Sequence, residues 1–189
     1  MGEKDTDNVL YVQTFGKFSV TWNGKQIAGR SGAGETQFVS LLQLILHDRG
    51  NGIERSLLEE VLFAGRDLQD RSHAMRSVLY NARKRLKKIC LPEPDYIRQK
   101  SGVYYWTNEV RVVEDAARMD RLFREAGTEE DPDRLLELYL SVCRCYTGEF
   151  LGTQGKALWA EKEARRYREQ FCYCMEQAVE LLRERKDYV

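Results

Sequence analysis

At 189 residues, 42% of them hydrophobic and 32% charged, the chain is too apolar for a disordered segment and long enough for one large domain or two small ones. Thirty Lys/Arg balance thirty Asp/Glu, so net charge alone gives no support to a polyanion partner. The longest apolar run, residues 38–46, is broken by Ser40 and Gln43 and falls well short of the roughly 18–20 residues a membrane span needs.

The charge distribution says more than its sum. Residues 1–108 carry 16 Lys/Arg and 12 Asp/Glu, a net of +4, and the remainder carries 14 and 18, a net of −4. Residues 71–92 hold Arg71, Arg76, Arg83, Lys84, Arg85, Lys87 and Lys88 and no acidic residue. Such asymmetry suggests a polyanion partner for the first part and a different task for the second.

The polar, acidic stretch 1–8 is no signal peptide, and five cysteines, an odd number without a secretion signal, read as reduced thiols in a cytoplasmic protein. Residues 10–14 and 18–22 are strand-like, separated by Phe15-Gly16-Lys17. Asn23-Gly24 is a hairpin turn signal, because both central positions of a type I′ turn need φ > 0, and Lys25-Gln26-Ile27 is the returning strand. From Glu35 the period becomes helical, with Phe38, Leu41, Leu42, Ile45 and Leu46 on one face and Gly50 and Gly52 ending the run. Ser56 and Glu59 have the spacing of a capping box, predicting a second helix that Gly65 closes.

The third helix, about 72–89, sets Met75, Leu79, Ala82, Leu86 and Ile89 in one narrow stripe. Its other side carries Arg76, Ser77, Tyr80, Asn81, Arg83, Lys84, Lys87 and Lys88, and Leu91-Pro92-Glu93-Pro94 stops it. Residues 96–99 and 103–107 read as a second hairpin, turning at Lys100-Ser101-Gly102. No strand signal follows Asn108. Residues 114–126 are helical; Asp131 with Pro132 is an N-cap and first helical position for a helix through about Tyr146. Gly148, Gly152 and Gly155 mark a loop, and 157–186 is one long helix with room for a single break.

A basic helix followed by a basic hairpin suits duplex DNA. A helix fits the major groove, where Arg and Asn make bidentate contacts with G and A edges, and a hairpin beside it reaches a flanking phosphate or the minor groove. The early residues Arg71, Ser72, His73, Arg76, Ser77 and Tyr80 would enter deepest. Asn81 lies on the same polar side; Arg83, Lys84, Lys87 and Lys88 would meet phosphates, with Arg98, Gln99 and Lys100 on the hairpin. A merely solvated basic face is the competing reading; the acid-free run and the following hairpin weigh against it.

These pieces, in this order, resemble the SARP-type bacterial transcriptional regulators. Residues 10–24 (LYVQTFGKFSVTWNG) resemble the opening strands of their OmpR-like winged helix, which begins with a four-stranded sheet. Residues 38–46 (FVSLLQLIL) look like its first helix and 56–63 like its second, with Phe63 where Trp is usual. Residues 75–86 (MRSVLYNARKRL) resemble the recognition helix, with Ala82 in place of a common Leu, and 102–106 (GVYYW) the closing strand of the wing. The remainder is similar to the family's bacterial transcriptional activator domain through 146–151 (YTGEFL) and Trp159, the arginine expected soon after that Trp being displaced to Arg165 or Arg166.

The resemblance implies an α+β winged helix over 1–108 (antiparallel sheet, three helices, hairpin wing) and an all-α tetratricopeptide-like domain over 109–189, truncated at Val189. It implies a non-enzymatic, DNA-binding transcriptional activator that pairs on direct repeats and whose helical domain contacts RNA polymerase or a second protomer; no cofactor, metal or membrane partner is expected from the residues. The rival is a protein-interaction or sensor module that does not bind DNA.

Other motifs point elsewhere. Residues 29–36 (GRSGAGET) have phosphate-loop spacing, but Glu35 stands where Lys should attract phosphate, so a loop is expected. Cys143/Cys145 and Cys172/Cys174 lie two apart, which on a helix turns them about 200° from each other, so packed thiols are expected rather than zinc ligands. His47 suits a helix C-terminus; His73 is a candidate DNA contact. Tyr104, Tyr105 and Trp106 are expected to anchor the wing, and Trp159 to sit between helices.

Overall fold

The computed structural model describes residues 9–29, 36–89, 96–106, 110–152 and 157–184. The expectations for residues 1–8, for most of the 29–36 loop, for the 91–94 helix stop and for Gly155 lie outside the described residues. The chain divides into two compact units, one of residues 1–12 and 19–113, the other of residues 13–18 and 114–189.

In the first unit, β1 (Val9–Gln13), β2 (Ser19–Trp22) and β3 (Lys25–Ala28) form the opening sheet. β2 and β3 pair antiparallel through a two-residue turn in which Asn23 and Gly24 have φ 45° and 73°, the geometry read from Asn-Gly. The sheet has four strands in the order β3-β2-β1-β7, and β7 (Arg111–Glu114) was not foreseen: a strand does follow Asn108. The opening segment therefore supplies only three strands of the sheet.

α1 (Thr36–His47) buries Leu41, Leu42, Ile45 and Leu46. A two-residue strand, β4 (Ile53–Glu54), then precedes α2 (Arg55–Leu62). The capping box is not formed: Glu54 is the N-cap and its side chain bonds no backbone N–H of the first turn, and Ser56 lies inside the helix, its hydroxyl donating to Glu54 Oε2 at 3.3 Å. The pairing of β4 with β6 sets the start of α2 ahead of the local signal. α3 (Arg71–Lys88) begins at Asp70, whose carboxylate accepts from the His73 N–H at 2.8 Å. β5 (Ile97–Lys100) and β6 (Val103–Trp106) form the wing hairpin, with Ser101 and Gly102 at φ 51° and 81°, and β4 joins them in a sheet ordered β4-β6-β5.

The second unit holds α4 (Asp115–Ala126), α5 (Pro132–Cys145) and α6 (Leu158–Glu184), α4 packing on α5 and α5 on α6. α6 runs unbroken for 27 residues, so no internal break occurs. Asp131 caps α5 by accepting from the Arg134 N–H at 2.8 Å, with Pro132 at the first turn. Asp131→Ala is expected to cost about 1 kcal/mol, measured by urea denaturation; a loss below a few tenths would mean that Pro132 alone starts the helix.

Residues 13–18, which include the Phe15-Gly16-Lys17 connection expected between two strands, belong to this second unit. Phe15 bridges to Phe150, the Gly16 N–H donates to Glu149 O at 2.8 Å and the Leu151 N–H to Thr14 O at 2.7 Å. The Asp115 carboxylate, at the head of α4, accepts from the N–H groups of Thr14, Phe15 and Ala116 and from the Thr14 hydroxyl. Gly152 has φ 51°, and a methyl group there would collide with the Gly16 carbonyl, so this approach requires glycine. The 146–151 segment thus serves to dock Phe15.

Near the start of α6, Trp159 meets the edge of Phe150 at 6.0 Å. Arg166 bonds Asp120 and Glu163, while the Tyr167 hydroxyl donates to Asp120 at 3.0 Å. Burial pushes the Tyr167 phenol well up, keeping it a donor.

The cysteine pairs split as helix geometry requires: Cys145 and Cys174 are buried, Cys143 half-buried and Cys172 exposed. Burial raises the thiol pKa of Cys143 and Cys145 and pushes Cys174 up to about 12, disfavouring the thiolates a metal would need. Among the described residues no cluster of His, Cys, Asp and Glu could hold a metal ion. No helix among them is long and apolar enough to cross a membrane.

Candidate nucleic-acid interface

The stripe Met75, Leu79, Ala82 and Leu86 is buried along α3. At about 100° per residue, this fixes what the other side presents. Arg71, Ser72, His73, Arg76, Ser77, Tyr80, Asn81, Lys84, Lys87 and Lys88 are all exposed. Tyr80, 64% exposed, is a large aromatic ring left open to solvent with the Lys84 ammonium 6.0 Å from its centroid. Ser77 and Lys84 lie furthest from the buried stripe, followed by His73 and Lys88. On the wing, Arg98, Gln99 and Lys100 are exposed as well.

Arg83 differs from its neighbours. It is half-buried, and its Nη2 donates to the Ile97 carbonyl of β5 at 2.7 Å, while its buried Nε–H has no partner. Expected among the phosphate contacts, it instead ties the helix to the wing. Helical periodicity gives the face a residue occupies but not what the neighbouring strand does with it.

Arg76 and Ser72 turn toward the wing. They line a cleft of about 310 Å³ with Arg83, Gln99, Tyr104 and Arg55. Arg55 was missed by sequence reasoning. Its N–H donates to Gly102 O in the wing turn at 3.0 Å, its Nη2 to the Ser72 hydroxyl at 2.8 Å, and its Nε to Glu59 at 2.6 Å. The first residue of α2 therefore adds a cation between helix and wing, and only the unforeseen strand β4 explains why Arg55 stands there. On the opposite flank, Ser77 and Asn81 line a separate hollow with Gln37, Phe38, Phe63 and Arg85, where the Arg85 guanidinium lies 4.3 Å from the Phe38 ring centroid. Asn81 and Arg76 are thus on different sides of the helix.

The wing is held by its aromatics. Tyr104 and Trp106 are buried, Trp106 stacks on Tyr96 at 5.6 Å, and Tyr105 is half-buried. Asp70 controls the other end of the face. Accepting the His73 N–H holds its carboxyl below the usual carboxylate range, so its cap is in place above that range and is lost as pH falls through the lowered value. Acidification is expected to release the His73 amide first, read by amide exchange. Asp70→Asn, still able to cap but not to titrate, should lack that acid limb; an identical limb in the variant would remove Asp70 as its source.

No protein-family model and no curated protein matches this chain. Among solved structures it is similar to EmbR from Mycobacterium tuberculosis, solved in complex with a low affinity phosphopeptide. The TM-score is 0.70 at 14% identity, over 92% of this chain and 45% of that one. The chain thus spans less than half the length of EmbR, and what the two share at this identity is the fold.

Proposed function

We propose that the chain is a non-enzymatic, sequence-specific DNA-binding regulator of transcription, of the SARP type that its sequence resembles. The observation that carries this reading is the exposed face of α3, cationic and free of acidic residues, beside an exposed Arg98-Gln99-Lys100 strand. α3 enters the major groove, with His73, Arg76, Ser77 and Tyr80 at base edges; Lys84, Lys87 and Lys88 meet phosphates, and the wing touches the flanking backbone or minor groove. The fold shared with EmbR supports the choice of a regulator over an enzyme, and the resemblance to SARP-type proteins supports activation through RNA polymerase and pairing on direct repeats. The helical unit is the protein-contacting part.

A salt titration of binding to duplex DNA tests this. A reader neutralising several phosphates loses affinity with a log–log slope of about −0.9 per contact. Absence of binding at low salt would favour the rival, a protein-interaction module. Lys87→Ala is expected to weaken binding to all sequences alike and to flatten the slope by about one contact; an unchanged slope would take Lys87 off the backbone.

A further inference from the structure

Ten residues of α3 are exposed, and nine of them end in hydroxyl, amide, imidazole or cationic groups. The tenth is Tyr80, which presents the one hydrocarbon ring on that side of the helix. At about 100° per residue it stands about 40° from Arg76 on one side and from Lys84 on the other. The Lys84 ammonium, 6.0 Å from the ring centroid, is close enough to restrain the ring by cation–π attraction. Tyr80 therefore sits between an arginine offered to a base edge and the lysines offered to phosphate.

Resting on the DNA-binding reading above, we propose that Tyr80 determines specificity by reading the C5 methyl of a thymine. Hydrogen-bonding side chains distinguish bases in the major groove by their donors and acceptors. Thymine adds to its acceptor a methyl group that no donor or acceptor registers and that an apolar contact does. Tyr80 supplies the broadest such contact on the exposed side of α3. Packing the ring on the methyl removes both from water, so the gain comes from apolar burial. That gain is small and confined to one base pair, which makes Tyr80 a discriminating contact more than a source of affinity. The phosphates need nothing from it, because Lys84, Lys87 and Lys88 stand on the same exposed side. Arg76 beside it is left free to hydrogen-bond a neighbouring base edge.

The test uses the full chain and the duplex site that it selects from a random pool. Each thymine of that site is replaced singly by uracil, which keeps the base pairing and lacks only the methyl. At one position affinity is expected to fall about fourfold, the worth of burying one carbon of apolar surface. Tyr80→Ala, whose melting stays unchanged because the side chain is exposed, is expected to bind thymine and uracil there equally. Tyr80→Phe keeps the thymine-over-uracil ratio, since the ring and not the hydroxyl meets the methyl. A selected site with no thymine, or with no thymine-to-uracil loss at any position, overturns the proposal and leaves DNA binding standing. So does an alanine variant that keeps the loss, or a phenylalanine variant that lacks it, as a hydroxyl bonded to phosphate would give. A chain that binds no duplex at any salt removes the DNA reading and this inference together.

Discussion

Phe15→Ala is expected to destabilise the helical unit by about 3–5 kcal/mol, the cost of emptying a buried aromatic site. Phe15 is fully buried and packs on Tyr146 and Tyr167, each at 5.2 Å between ring centroids, and on Phe150 at 6.4 Å. These neighbours are fixed by other contacts and cannot collapse freely into the space. Tyr146 stacks on Phe171 at 4.8 Å, Tyr167 is hydrogen-bonded to Asp120, and Phe150 is bridged to the backbone of Phe15. Hydrogen exchange read by peptide locates the effect: α4, α5 and α6 should exchange faster, while α1 and α3 change little. A loss below about 1 kcal/mol, or equal loosening of α1 and α3, would show that residues 13–18 are not part of the helical core.

Arg76→Ala is expected to cost about 1–3 kcal/mol on the preferred DNA site and less on unrelated sequence, because a side chain reading a base edge contributes only where that base is present. The basis is placement. Arg76 is exposed one turn into α3, and it shares a cleft with Arg55, Arg83 and Gln99 between helix and wing. Its neighbour in that cleft, Arg83, is already engaged with Ile97, which leaves Arg76 as the arginine on this flank of α3 able to extend outward. Competition binding with specific and random duplexes measures the difference. Equal losses on both would make Arg76 a phosphate contact.

The parts of this protein that were legible beforehand are those whose cause is local. The period of α3, the turn at Asn23-Gly24 and the Asp131-Pro132 start each depend on residues within a few positions of one another. β4 and β7 were not legible, since Ile53-Glu54 and Arg-Val-Val-Glu are too short to show alternation. β7 becomes a strand only because β1, about a hundred residues earlier, lies beside it. The same reason hid the roles of individual cations. Pattern alone placed Arg83 on a polar face, whereas a carbonyl on β5 draws it inward, and Arg55 became visible only once β4 moved the start of α2. The exposed side of α3 could be read; which of its cations a neighbouring strand draws inward could not.

The Thr14–Asp115 bonds span 101 residues of sequence, and this affects how the molecule is made as well as how it stands. At about 5–20 residues per second of synthesis, Phe15 leaves the ribosome many seconds before α6 exists to cover it. During that interval the aromatic ring is an adhesive spot on the nascent polypeptide, open to chaperones or to a neighbouring chain. Contacts so distant along the sequence also slow folding, and the helical unit cannot close until α6 is made although its first residues are among the earliest translated.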